Sequence, residues 1–125
     1  MLTKFFMLMI GGGLGAVSRY GISLLAARFF GIRFPWGTLI VNLSGCFLIG
    51  FCFAVAERST ALTNPSTRLF LVTGFLGAMT TFSTFALETV TAAGPGIRAL
   101  PLINLLANNL LGLAMVVFGM WTGGR

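Results

Sequence analysis

Long stretches without charge limit what this chain can fold into more than any other feature. No charged residue occurs over 34–56, 69–87 or 99–124, which are 23, 19 and 26 residues long. A fourth apolar stretch covers 5–27 and contains Arg19 as its single charge. A helix needs roughly 20 apolar residues to cross a hydrocarbon core of about 30 Å. The sequence therefore predicts a multi-pass membrane protein with four transmembrane helices.

Composition agrees with this prediction and excludes two other classes of protein. The 125 residues are 57% hydrophobic and 8% charged, whereas about a quarter of a soluble domain is charged. Disordered chains have the opposite composition, low in hydrophobic residues and high in charge. We predict a single all-α transmembrane domain over 1–125, joined by short connectors such as Gly94-Pro95-Gly96. Its approximate spans are 5–27, 36–56, 69–93 and 99–121.

The basic residues stand singly, so the net charge of +6 does not predict nucleic-acid binding. No run or stripe of positive charge forms, and we expect no nucleic-acid partner. Single Lys and Arg residues beside membrane helices anchor a chain at the lipid headgroups of the bilayer. The residues concerned are Lys4, Arg19, Arg28, Arg33, Arg58, Arg68, Arg98 and Arg125.

Counting these bases on each side of the predicted membrane gives almost no preferred orientation. One side carries four of them and the other carries three, with Arg19 left inside the first span. The positive-inside rule orients a protein by a difference in this count, so a balanced chain can insert both ways. Two opposite copies can then pair as an antiparallel homodimer. Self-association is also favoured by a GxxxG pair at Gly11 and Gly15.

Polar residues occur within the predicted spans, where they are energetically unfavourable and usually functional. They are Thr38 and Asn42 in the second span, Thr-Thr-Phe-Ser-Thr-Phe at 80–85 with Glu88 in the third, and Asn104, Asn108 and Asn109 in the fourth. Hydroxyls can instead bond to their own helix carbonyls, and Asn side chains can simply hold helices together. The number of such groups on three spans favours a continuous polar pathway.

The groups along this pathway are mostly hydrogen-bond donors, which suit an anion. Amides, hydroxyls and one guanidinium are available, against the single carboxylate of Glu88. Phe82 and Phe85 are three residues apart and can turn their electropositive ring edges toward an anion. Donors that line a narrow pore select a small, strongly hydrated ion.

Glycine and threonine weaken the third helix near its middle, at Gly74, Gly77 and the Thr80-Thr81 pair. A break there would free main-chain carbonyls, which can bind a small cation such as Na⁺. Irregular backbone at membrane depth is tolerated only where it is buried in protein or lines water. We therefore expect the third helix to be broken mid-membrane.

These motifs resemble the Fluc/CrcB family of fluoride channels. The sequence Gly-Phe-Leu-Gly-Ala-Met-Thr-Thr-Phe-Ser-Thr-Phe at 74–85 is similar to the family signature. Gly-Thr-Leu-Ile-Val-Asn-Leu at 37–43 resembles its second-span motif, and the glycine-rich stretch with arginine at 12–20 resembles its first-span motif. The resemblance runs over the whole chain in the same order and spacing.

The resemblance implies a dual-topology homodimer of four-helix subunits, mounted antiparallel, with two parallel pores. Such a channel lies in the inner or plasma membrane and passively exports fluoride ion, which relieves fluoride toxicity. It needs no organic cofactor. A central structural Na⁺ at the dimer interface is implied, held by the backbone carbonyls of Gly77 and Thr80 from both subunits.

The resemblance also implies roles for individual side chains. The pore residues it implies are Phe82 and Phe85 with their ring edges, Asn42, the polar-track residues Thr38, Ser83, Thr84 and Glu88, and the fourth-span residues Asn109, Asn104 and Asn108. Arg19 matches an arginine near the vestibule. The fourth span departs from the family pattern, because Leu105 stands where the family often has Tyr or Asn, with Asn104 adjacent.

Three other functions fit the sequence less well. A small multidrug antiporter has a similar length and topology but needs a membrane-embedded carboxylate, normally in the first span, where this chain has Arg19. A structural membrane subunit does not account for the cluster of hydroxyls and rings at 80–85. An enzyme would lack a nucleophile–base pair, because the chain has no His and no Cys near a base.

Overall fold

The computed structural model describes residues 1–59, 62, 64–92 and 99–125. Four helical spans in this part of the chain are long and apolar enough to cross a membrane, which confirms the predicted all-α protein with four such helices. They are Leu2–Phe30, Trp36–Ala56, Pro65–Thr91 and Leu100–Gly123, called the first to fourth spans below. Ala93, the predicted connector Gly94-Pro95-Gly96 and Arg98 lie outside the described residues.

A tight connector joins the first two spans. The first helix ends at Phe30, and Gly31 follows with a φ of 78°, a left-handed conformation that favours glycine. The second helix begins at Trp36, directly after Pro35, which lacks an N–H and needs none at a helix start. The ring of Trp36 contacts those of Phe30 and Phe34, with centroids 5.5 Å and 4.8 Å away. The short connection lets the second span return beside the first.

The third span is interrupted by two residues of extended backbone. Its helical segments are Pro65–Arg68 (α), Leu69–Leu76 (π), Gly77–Met79 (α) and Phe82–Thr91 (α). Between the last two lie Thr80, with φ −80° and ψ 155°, and Thr81, with φ −151° and ψ 117°. The helical hydrogen-bond pattern stops at these two residues, so the backbone groups that it no longer pairs need other partners.

The fourth span changes helix type where two of its asparagines lie. Leu100–Leu106 and Gly112–Gly123 are α-helical, and Ala107–Leu111 between them is π-helical. Single π-helical turns are rare and are frequently found at functional sites. This turn carries Asn108 and Asn109.

Glycines let the first span lie directly on the third. A Cβ built at Gly11 would collide with the Phe70 carbonyl, and one built at Gly15 would collide with the Phe75 carbonyl. The GxxxG pair therefore packs within the chain, whereas the sequence indicated contact between copies. Gly13, on the exposed side of the same helix, has open space around its Cβ position.

The second span lies between the third and fourth spans. Gly50 faces the Val116 carbonyl and Gly119 faces the Phe47 carbonyl, so the second and fourth helices approach closely. On the other side, a small hydrophobic core joins the second span to the third, and it consists of Val41, Leu76 and Met79. These contacts place the polar face of the second span beside the extended residues of the third.

Candidate functional site

The extended backbone of the third span is paired with one side chain of the second. The Thr81 N–H donates to Asn42 Oδ1 at 2.9 Å, and Asn42 Nδ2 donates to the Thr81 carbonyl at 3.3 Å. A side-chain amide offers the same donor and acceptor as a peptide group, so Asn42 pairs with Thr81 much as a neighbouring β-strand would. Both polar groups of Thr81 that have left the helix are therefore hydrogen-bonded.

A series of hydrogen bonds continues from Asn42 to the fourth span and back to the third. Asn42 Nδ2 also donates to Asn108 Oδ1 at 2.9 Å. Asn108 Nδ2 donates to Asn104, at 3.1 Å from the main-chain oxygen and 2.9 Å from Oδ1. Asn104 is completely buried, and its Nδ2 donates to Thr89 Oγ1 at 2.8 Å. We call these four residues, Asn42, Asn108, Asn104 and Thr89, the amide relay.

Thr81 also caps the helix that follows it. Its Oγ1 accepts from the Thr84 N–H at 3.2 Å and donates to Thr84 Oγ1 at 3.0 Å. Ser83 Oγ lies 3.4 Å from the same oxygen. Thr84 Oγ1 is an acceptor here, and its own proton has no acceptor among the residues that the structure describes. Ser83 and Thr84 are both exposed, so hydroxyl groups remain available at the start of this helix.

Thr38 and Glu88 form a second polar contact between the second and third spans. Thr38 is buried, and its Oγ1 donates to Glu88 Oε1 at 2.9 Å. The other carboxylate oxygen, Oε2, is buried and accepts no hydrogen bond from any described residue. Because Thr38 and Asn42 are about one helix turn apart, this contact lies about one turn from the Asn42–Thr81 pair.

Phe82 and Phe85 are in contact but differ in exposure. Their ring centroids are 5.5 Å apart and the ring planes are inclined at 61°, an edge-to-face arrangement. Phe85 is 4% exposed, whereas Phe82 is 77% exposed. The two rings therefore lead from the interior of the chain to its outer surface.

A cavity of about 360 Å³ lies beside these rings. Its polar and aromatic lining consists of Asn42, Thr80, Thr81, Phe82, Phe85, Asn108 and Asn109. The rest of its lining is Gly45, Cys46, Ile49, Val72, Leu76 and Gly77. None of these described residues is charged, so the cavity offers donors and ring edges without a fixed charge.

The residues that the sequence predicted for the site occupy four different places. Those that line the cavity are Asn42, Gly77, Thr80, Phe82, Phe85, Asn108 and Asn109. Thr38, Glu88 and Asn104 take part in the hydrogen bonds between spans without lining the cavity, and Ser83 and Thr84 lie at the adjoining helix start. Arg19 is half-buried on the first span and is not brought to the cavity.

Main-chain oxygens at the interruption are suited to a cation. In an unbroken helix the Thr81 N–H would bond to the Gly77 carbonyl, but here it bonds to Asn42. The Gly77 carbonyl therefore lacks that helical partner, and Gly77 and Thr80 both line the cavity. The described residues contain no group of three or more His, Cys, Asp or Glu side chains. Neutral oxygens of this kind suit a hard cation rather than a transition metal.

Two residues of this network, Thr81 and Thr89, belong to the polar residues that the sequence places in the third span but not to the pore residues that the family resemblance implies. Thr81 has a readable signal, because Thr is a preferred N-cap residue and stands directly before a helix. Thr89 donates its hydroxyl to the Phe85 carbonyl at 2.7 Å within its own helix. Its second role, as the acceptor for Asn104, depends on how the spans pack and has no signal in the sequence.

Comparison with known proteins decides the family. The family described as CrcB-like protein, Camphor Resistance (CrcB), matches residues 6–120. The chain belongs to the CrcB family. This confirms the resemblance carried by the motifs at 37–43 and 74–85.

Curated relatives of this chain are named fluoride-specific ion channel FluC. The relative from Parabacteroides distasonis is 44% identical over 122 residues, which cover 98% of this chain and 94% of that protein. The one from Dehalococcoides mccartyi is 47% identical over 122 residues, covering 98% and 93%. The one from Legionella pneumophila is 44% identical over 119 residues, covering 95% and 88%. This CrcB-family chain is therefore a multi-pass membrane protein from a family of ion channels rather than enzymes.

Proposed function

We propose that this chain is a fluoride-selective channel that passively exports F⁻ from the cell and relieves fluoride toxicity. The observation that carries the proposal is the uncharged cavity between the Asn42–Thr81 pair and the rings of Phe82 and Phe85. Its donors and ring edges suit an anion, and a lining without Lys or Arg among the described residues does not trap the ion. The name of the relatives, fluoride-specific ion channel, supplies the identity of the anion.

Groups with an unused proton are best placed to replace the water around fluoride. The exposed hydroxyl of Thr84 is one such donor. Asn109 is another, because its Nδ2 donates one hydrogen to the Leu105 carbonyl at 2.7 Å and retains a second. The ring edges of Phe82 and Phe85 add electropositive hydrogens beside them. In this proposal Ser83 continues the row of donors, and Thr38 with Glu88 extends the polar track.

Two copies in opposite orientations complete the channel in our proposal. The balanced basic residues allow insertion both ways. Phe82 is 77% exposed on the single chain and borders the cavity, and in our proposal the second copy covers this ring. The antiparallel homodimer would carry two pores, with Arg19 near each vestibule.

A structural Na⁺ at the dimer interface would be held by the main-chain oxygens of Gly77 and Thr80. Each copy supplies two such oxygens beside the extended residues, and two copies supply four neutral ligands of the kind that hard cations prefer. We propose that the interruption lies mid-membrane, buried between the copies, where irregular backbone is tolerated. A shared cation would offset the repulsion between carbonyl dipoles that face one another.

Flux measurements on reconstituted protein test this function. Liposomes that contain the purified chain and are loaded with KF or KCl are diluted into ion-free buffer with a K⁺ ionophore, and efflux is followed with ion-selective electrodes. We expect rapid loss of fluoride and no loss of chloride above that of empty liposomes. Proton-coupled uptake of a cationic dye without fluoride flux would overturn the proposal and indicate a small multidrug antiporter instead.

A further inference from the structure

We infer that Asn108, supported by Asn104, is a positioning residue that holds the Asn42 amide on the Thr81 backbone. The effect of this positioning on flux rests on the proposed channel function, whereas the hydrogen bonds themselves are present in the folded chain whatever its function. Every amide hydrogen of Asn42 has an acceptor within reach. Its Nδ2 carries two hydrogens, and two acceptors lie in reach, the Thr81 carbonyl at 3.3 Å and Asn108 Oδ1 at 2.9 Å. Its Oδ1 accepts from the Thr81 N–H.

Asn42 therefore has no unused amide hydrogen for an ion. To donate to fluoride, it would have to release either the Thr81 carbonyl or Asn108 Oδ1. By contrast, Thr84 and Asn109 each keep a proton without such a release. The Asn42 amide consequently fixes the extended backbone at Thr81, and neighbouring groups provide the free donors.

The amide relay determines which way the Asn42 amide faces. Thr89 uses its hydroxyl proton on the Phe85 carbonyl, so its oxygen can only accept from Asn104 Nδ2. Asn104 Oδ1 must then face Asn108 Nδ2, and Asn108 Oδ1 must face Asn42 Nδ2. A reversed Asn42 amide would place a donor against the Thr81 N–H and an oxygen against its carbonyl. Each hydrogen bond of the relay therefore favours the orientation that pairs with Thr81.

The relay starts and ends on the segment that carries both rings. It is anchored at the Phe85 carbonyl through Thr89, and it ends on Thr81, the residue directly before Phe82. Between these points it crosses the buried Asn104 and the second span. The helix segment that bears Phe82 and Phe85 is thus fixed to two other spans through side chains that are hydrogen-bonded to one another.

Hydrogen exchange at the Thr81 amide tests the inference independently of fluoride flux. The full chain, labelled with ¹⁵N and reconstituted in lipid, is compared with Asn108→Leu, which keeps the size but removes the hydrogen bonds. We expect Thr81 exchange to rise about tenfold, the factor for losing one hydrogen bond, while Asn109→Leu in the same π-helical turn leaves it unchanged. Asn108→Ala is the second variant where Asn108→Leu disturbs the size-exclusion profile. Unchanged Thr81 exchange in a folded Asn108 variant would overturn the inference.

Two further readouts separate positioning from direct contact with the ion. In the native chain we expect the ¹⁵N resonance of the Asn42 side-chain amide to be insensitive to NaF but to shift in Asn108→Leu. In flux assays, Asn42→Ser and Asn108→Leu should each slow fluoride efflux, and the double variant should match Asn42→Ser within about twofold, because Asn108 acts through Asn42. If the losses of efflux in the two single variants multiply in the double variant, or if the Asn42 resonance shifts with NaF concentration, these side chains ligate the ion directly. Either result would overturn the inference. Absence of fluoride flux in the native chain would overturn the proposed function and leave the exchange result to stand.

Discussion

Asn42 and Thr81 each donate one hydrogen bond to the other and accept one in return, at 2.9 Å and 3.3 Å. Thr81 belongs to the third span and Asn42 to the second, so this exchange joins two helices at the point where one of them is interrupted. A buried backbone group left without a partner costs about 1–3 kcal/mol. The pair with Asn42 removes that cost for both groups of Thr81, which is why extended residues can persist inside an apolar helix.

Asn42→Ala should therefore lower both stability and flux. Removing the amide leaves the Thr81 N–H and carbonyl unpaired, for which we expect a loss of about 1–3 kcal/mol and slower fluoride efflux. Unfolding of the reconstituted protein and electrode-recorded efflux measure the two effects. Ser44→Ala is the matched control, because Ser44 is half-buried on the same helix and its side chain forms no hydrogen bond with any described residue. Equal behaviour of the two variants would contradict the role given to Asn42.

Thr81→Val separates the side chain of Thr81 from its backbone. Valine has the same shape but cannot accept from the Thr84 N–H, so the helix Phe82–Thr91 loses its N-cap. We expect a loss of about 0.5–2 kcal/mol in unfolding free energy. Thr122→Val is the control, because that hydroxyl only bonds to carbonyls of its own helix, at Phe118 and Gly119. A comparable loss in both variants would show that the capping hydrogen bond has no special weight.

Gly15→Ala tests the close packing of the first span on the third. The added Cβ would collide with the Phe75 carbonyl, and we expect a destabilisation of about 1–3 kcal/mol from overpacking. Gly13→Ala, two residues earlier in the same helix, meets nothing, so it should be neutral or stabilising by about 0.5–1 kcal/mol through helix propensity. Thermal unfolding of both variants in detergent gives the comparison. A stable Gly15→Ala protein would contradict the arrangement of these two spans.

The sequence predicts the four spans well, because the length of an apolar segment depends only on local composition. It also predicts the polar side chains, since Thr38, Asn42 and Glu88 stand out against lipid-like neighbours. It does not predict the partner of each group. Asn42 bonds to Thr81, 39 positions away, and to Asn108, 66 positions away. Such pairings depend on the packing of whole helices.

The glycines likewise show that the sequence predicts a contact without identifying its partner. Gly11 and Gly15 signal close approach of helices, and the structure confirms close approach, but between the first and third spans of one chain. Spacing alone does not distinguish a partner in the same chain from a second copy. The change from α to π geometry at Ala107–Leu111 likewise has no marker in the residues themselves, although it decides where Asn108 and Asn109 point.

Phe82→Ile tests whether a ring edge takes part in conduction. Isoleucine keeps an apolar side chain of moderate size at a position that is 77% exposed, so the fold should be preserved, but it removes the electropositive edge. We expect fluoride efflux from liposomes to fall about tenfold, which corresponds to about 1.4 kcal/mol of lost stabilisation of the ion at this ring.

Phe53→Ile is the control, because Phe53 is also an exposed ring, 57% accessible, but lies on the second span away from the cavity lining. Size-exclusion profiles equal to the native one exclude a change of assembly as the cause. Native flux in Phe82→Ile, or an equal loss in Phe53→Ile, would show that fluoride does not pass this ring.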